Sequence, residues 1–180
     1  MLTEYKNHVK QRRQEGLPPL PLNAKQVTSL VELLKQPRNH DSQLLLALFI
    51  NRIPPGVDKA TYVKAKFLEE VAKRTITCDA ITPVYATRLL GTMIGGYNVQ
   101  PLINLLDISA TAGAAEAALS KILLVYDAYH DVVANIVNNK NAKSVMQSWA
   151  DAEWFKAKPP LPRSITVTVI DDAEYAVSEN

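Results

Sequence analysis

Only one cysteine, Cys78, occurs in the 180 residues. A single thiol forms no internal disulfide and supplies no multi-cysteine metal or cluster site. The composition therefore points to a reducing compartment, and the expectation is a cytoplasmic protein without a cofactor. Long apolar runs are also lacking. The longest, Leu44 to Ile50, falls well short of the roughly 20 residues that cross a bilayer. No apolar stretch follows the charged start (Lys6, His8, Lys10, Arg12, Arg13), so neither a secretory signal nor a membrane partner is predicted. Charge of one sign is missing too, with 20 Lys and Arg against 18 Asp and Glu and a net charge of +2. That balance disfavours a dedicated nucleic-acid-binding domain, which is usually strongly basic, without excluding one. The three histidines, His8, His40 and His130, have no i, i+4 partner of the kind that binds zinc on a helix. A fraction of 47% hydrophobic residues is nevertheless enough to build the core of one domain.

The pattern that remains is helical. From Ala24 to Gln36, Val27, Leu30, Val31 and Leu34 recur at i, i+3, i+4 and i+7. Asn23 is the expected N-cap, since its side-chain oxygen can accept from the open N–H groups of the first turn, and Pro37 ends the element. His40 to Arg52 is apolar nearly all round, which predicts a central helix with neighbours on several sides. Asp41 or Ser42 would cap it, and Ile53-Pro54-Pro55-Gly56 forces a sharp connection. From Asp58 to Arg74, Tyr62, Val63, Phe67, Leu68 and Val71 form the expected buried face. Thr82-Pro83 opens the next helix, whose Leu89, Leu90 and Met93 pack inward, and Gly95-Gly96 stops it. A short helix from Val99 to Leu106 tolerates Pro101 only in its first turn. An Ala-rich helix follows from Thr111 to Tyr126, with small residues that admit a close neighbour. Tyr129, Val132, Val133, Ile136 and Val137 mark another helix face. Asn141 is the expected cap of a last helix carrying Val145, Met146 and Trp149 and running to about Phe155.

Pro159, Pro160 and Pro162 end the helical region. The one strand-like segment is Ile165 to Ile170, entirely β-branched, and the acidic tail from Asp171 to Asn180 is expected to fray. The domain reading is 1–158 helical and 159–180 linker, strand and tail. Antiparallel helix pairs recurring every roughly 35–40 residues fit a degenerate helical-repeat array. The expected fold is thus all-α, a HEAT-like α-α superhelix of antiparallel helix pairs with one short C-terminal β-strand. A compact irregular bundle stays open.

No catalytic constellation emerges. Cys78 reads as packing filler, because no base lies near it in sequence. Gly95-Gly96-Tyr97-Asn98 follows a helix and lacks the Lys-Ser/Thr of a phosphate loop. Asp151 and Glu153, two residues apart, do not share a helix face, although with Trp154 they could anchor a partner. Lys6, Lys10 and Arg13 share one side of the first helix. Their plain reading is a solvated face, and their functional reading is contact with RNA or an acidic protein. Ile165, Val167 and Val169 are the strand positions expected to pair, within the chain or with a second copy. A dimer through this strand is the sharper expectation, since an unpaired β-branched edge invites association.

Several stretches resemble the N-terminal domain of bacterial aconitase B. They are 51–58 (Asn-Arg-Ile-Pro-Pro-Gly-Val-Asp) with 62–65 (Tyr-Val-Lys-Ala), 89–93 with Gly95-Gly96-Tyr97-Asn98, Pro101-Leu102-Ile103 with Leu106-Asp107, and most specifically 145–155 (Val-Met-Gln-Ser-Trp-Ala-Asp-Ala-Glu-Trp-Phe). The resemblance implies a HEAT-like superhelix that precedes a swivelling domain and a catalytic core. It implies a role in association and protein recognition, and a link to mRNA binding. The four-iron cluster that it implies belongs to that core, on three cysteines that have no counterpart here. The expectation is therefore a non-enzymatic interaction module whose partner is itself or full-length aconitase B. RNA, or service as the first part of an aconitate hydratase, are the alternatives. A segment like Ile165 to Ile170 opens the next domain in the family, whereas Asp171 to Asn180 departs from the family pattern.

Overall fold

A computed structural model describes residues 1–36, 41–122, 124–152, 165–170 and 174–179. Its backbone divides into two compact units, Met1–Trp149 and Ala150–Asn180. The expected limit between residues 158 and 159 lies outside the described residues. Unit one is all-helical. Its elements are α1 (Leu2–Gln14), α2 (Ala24–Leu34), α3 (Ser42–Asn51), α4 (Lys59–Ala72), α5 (Pro83–Gly91), α6 (Val99–Leu105), α7 (Ala112–Leu119) and α8 (Ala128–Asn135), followed by α9 (Lys140–Ala150), whose last residue falls in unit two. The helices pack in a stepwise order. α2 contacts α3 and α4, α4 contacts α5 and α6, α5 contacts α6 and α7, and α6 contacts α7 and α8. Every one of these contacts joins an element to its successor or to the one after, the arrangement that stacked helix pairs produce.

Local chemistry sets the helix starts. The Asn23 side chain accepts from the Gln26 amide at 2.9 Å while the Gln26 side chain accepts from the Asn23 amide at 3.0 Å, a reciprocal capping box. Asp58 accepts from the Ala60 amide at 2.7 Å, and Thr82 accepts from the Tyr85 amide at 3.2 Å with Pro83 behind it. The core behind these caps is continuous from Leu22 to Val145. Phe49 and Phe67 meet edge to face there, with centroids 5.4 Å apart.

Several expectations are corrected. α3 is not enclosed. It buries Leu45, Leu48 and Phe49 but leaves Leu44 and Ala47 open beside α1. His40, its expected first residue, lies outside the described residues. Tyr62 points outward from α4 and meets Tyr97 edge to face at 5.5 Å. α5 stops at Gly91, before Gly95-Gly96. The buried Asn98 amide explains the stop, since it donates to the Leu90 and Met93 carbonyls at 2.9 and 3.1 Å and takes up the helix end. α7 ends at Leu119 rather than Tyr126. The Leu119 carbonyl accepts from the Trp149 indole at 2.9 Å and from the Ile122 amide at 3.0 Å, and Tyr126 sits at φ +46°, where a right-handed helix cannot pass. Asn139, not Asn141, caps α9 by accepting from the Asn141 and Ala142 amides. α9 ends at Ala150, and Phe155 lies outside the described residues.

In unit two, β1 (Ile165–Ile170) pairs antiparallel with β2 (Glu174–Glu179). The tail expected to fray is thus a strand over Glu174–Glu179. A β-branched run presents backbone N–H and C=O groups that need partners, and the chain turns back to supply them. Ile165, Val167 and Val169 stand opposite Glu179, Val177 and Tyr175.

Candidate functional site

α1 places Lys6, Lys10 and Arg13 in solvent, as its spacing predicts. Arg12 behaves differently. Its Nε donates to the Pro18 carbonyl at 3.0 Å, which fixes the return of the chain after α1. His8 does the same work by accepting from the Leu20 amide at 3.0 Å, so it is a structural acceptor rather than a ligand. Arg52 holds the loop from the other side, with its Nε on the Tyr5 hydroxyl at 3.1 Å and its Nη2 on the Pro19 carbonyl. Between α1 and α3 these contacts frame an open cleft of 510 Å³, lined by Leu2, Tyr5, Val9, Leu44, Ala47 and Leu48 among others, with Lys6 at its edge.

A second surface forms around α8, which buries only Val132. Leu124 is 73% exposed, Tyr126 82% and Val137 85%, and Tyr129 is also open. Of the expected inward face, Val132 is buried and Val133 and Ile136 are half-buried, whereas Tyr129 and Val137 face solvent. Tyr129 covers itself in part by stacking on Trp149 at 6.3 Å. No signal in the sequence separated this face from a buried one, because its spacing is that of any core helix.

Lys64 is the functional candidate that sequence reasoning missed. α4 turns Ala60, Thr61, Lys64, Ala65 and Leu68 toward the core, and Lys64 is only 8% exposed. Its ammonium donates to the Ile50 carbonyl at 3.3 Å and lies 5.5 Å above the centre of the Phe49 ring. Ile50 belongs to the last turn of α3, where a positive charge offsets the open carbonyls. Among the described residues no carboxylate pairs with Lys64. Burial pushes its pKa below the ordinary lysine value. A cavity of 210 Å³ adjoins it, opening between the Pro54-Pro55 loop and residues 92–94. The signal available in the sequence was a lysine at a core-facing helical position, between Thr61 and Leu68.

Cys78 is half-buried, and its thiol donates to the Leu34 carbonyl at 3.4 Å. Burial pushes its pKa up, aided by the charge of Asp79 and opposed by hydrogen bonds from the Ala80 and Ile81 backbone. A thiol of that kind is a poor nucleophile. Among the described residues no three His, Cys, Asp or Glu side chains group as metal ligands, and no helix is long and apolar enough to cross a membrane. Glu153 and Trp154 lie outside the described residues.

The profile of the aconitate B N-terminal domain matches residues 4–155. The chain belongs to that family. Aconitate hydratase B of Salmonella typhimurium (strain LT2) is 53% identical over 170 residues, covering 94% of this chain and 20% of the relative. The enzymes of the same name from Escherichia coli K12 and Helicobacter pylori J99 are 51% and 46% identical, with 94% and 93% of this chain and 20% of each relative covered. The chain thus spans about a fifth of the length of the curated relatives that it matches. The family stretches include the two loops that meet at Gly56 and Gly95. A Cβ at Gly95 would lie 2.3 Å from the Gly56 carbonyl carbon, and Tyr97 donates to the Val57 carbonyl at 3.2 Å. Stretches that carry the resemblance, within the matched range 4–155, therefore coincide with a contact between two helix connections.

Proposed function

We propose that this chain is a non-catalytic protein–protein association module, acting through self-association or by docking on a longer aconitate hydratase B. The observation that carries the reading is the exposure of four large apolar side chains, Leu124, Tyr126, Tyr129 and Val137, within one short stretch of the chain. The donor set argues against cluster chemistry in the chain itself. A four-iron cluster of the aconitase kind calls for three thiolates, and Cys78 is one thiol held on a backbone carbonyl. Hydratase activity then requires a catalytic core on a longer chain or in a complex.

Sedimentation of the chain alone, and mixed with full-length aconitate hydratase B, tests the association. The expected outcome is a faster species in one of the two, lost or at least about tenfold weaker in the Tyr126→Ser, Val137→Ser double variant. A monomer at every concentration that ignores the full-length enzyme would end the reading.

RNA binding is the second reading, favoured by the joint exposure of Lys6, Lys10 and Arg13. For single strands log K would fall with log salt by about 0.7 per phosphate contacted, and replacing the three cations by Ala would flatten that slope. Binding indifferent to salt would exclude it.

A further inference from the structure

We propose that the cavity beside Lys64 binds a small monocarboxylate with a short aliphatic tail. An ammonium carries three donors. The Ile50 carbonyl takes one, at 3.3 Å, and the Phe49 ring faces the charge without neutralising it. The helix end of α3 accounts for that single bond, but not for the two remaining donors or for the space next to them. A carboxylate supplies both the missing acceptors and the missing counter-charge.

The walls select the rest of the ligand. Ile50, Ile53, Pro54, Met93 and Ile94 are apolar, so a tail of methylenes is favoured over further polar groups. Thr61 and Thr92 border the cavity as well, but their hydroxyls donate to the Pro54 and Leu89 carbonyls. Lys64 is therefore the cation that anchors the ligand, and a polycarboxylate would leave its other charges against hydrocarbon. The 210 Å³ volume exceeds the roughly 150 Å³ of an apolar cavity that holds benzene, so an ion of acetate to butyrate size fits. The exposed Ile94 stands at the entrance.

Titration of the whole chain with sodium butyrate, followed in the ¹H–¹⁵N spectrum against matched sodium chloride, tests the site. Saturable shifts are expected at the amides of Ile50, Thr61, Lys64 and Met93. Lys64→Met keeps the length and apolar stem of the side chain and should weaken binding at least about tenfold. Ile94→Trp narrows the entrance while leaving the ammonium intact, so it should also lose binding and serves if the first variant fails to fold. Absence of saturable shifts in the parent chain, or unchanged affinity in either folded variant, would overturn the proposal and leave Lys64 as the cap of α3 alone.

Discussion

Gly56 and Gly95 sit against each other in left-handed backbone, at φ +85° and +101°. Both strain and space forbid a side chain at Gly95, and the atoms in the way belong to backbone that cannot swing aside. Gly95→Ala should therefore cost about 3 kcal/mol in urea unfolding. Gly16 is also left-handed, at φ +71°, but nothing lies within 4 Å of its missing Cβ. Gly16→Ala should cost only about 1 kcal/mol, and equal losses at the two sites would show that the loop contact contributes nothing. Lys64 gives a prediction in pH. Its folded pKa lies below the ordinary 10.5 of lysine. Below the lowered value the folded and unfolded chains both keep the proton, and the burial penalty is present in full. Between that value and 10.5 the folded chain releases its proton first, so the unfolded chain binds more protons and stability rises with pH. Lys64→Met cannot show this rise. The stability of the parent relative to the variant should climb as pH approaches 10.5, and a constant difference would contradict the burial of a charged amine.

At the scale of the element, several departures from the reading of the sequence fall at helix ends. The capping residues Asn23, Asp58 and Thr82 were legible because a cap is a local bond between residues two or three apart. The ends of α5 and α7 were not, because Asn98 and Trp149 close them from 8 and 30 residues away. The Asn98 amide is buried with both of its carbonyl partners. Asn98→Leu should leave those acceptors unpaired and cost about 2 kcal/mol, with faster amide exchange at Met93 and Ile94. Unchanged exchange there would mean that α5 ends for another reason. The Ala-rich composition of α7 did predict a close neighbour, and a Cβ on Gly91 of α5 would lie 2.7 Å from the Cβ of Ala118.

At the scale of the molecule, the helical core lies within Met1–Trp149, while Ala150–Asn180 holds a two-stranded hairpin. Two strands alone are marginal in water. A chain ending at Ala152 keeps every residue of the helical core, from Tyr5 to Val145, and should therefore melt within about 2 °C of the full chain. The same truncation separates two routes to association. Pairing through β1 would leave the shortened chain monomeric, whereas association through residues 124–137 would survive. The expected intermolecular strand is already paired within the chain along one edge, which favours the second outcome.

The sequence by itself determined that the chain is helical, where most helices start, and to which family it belongs. Those properties rest on periodicity, on caps a few residues apart and on motifs that stand in order along the chain. Only the tertiary structure decided which apolar face stays open, why α3 and α8 are bare on one side, and that Lys64 lies beside a cavity. Period-3.6 spacing marks a face as apolar but not what covers it. Cover is supplied by elements far away in the chain, and so is the environment that makes one lysine among many a buried charge.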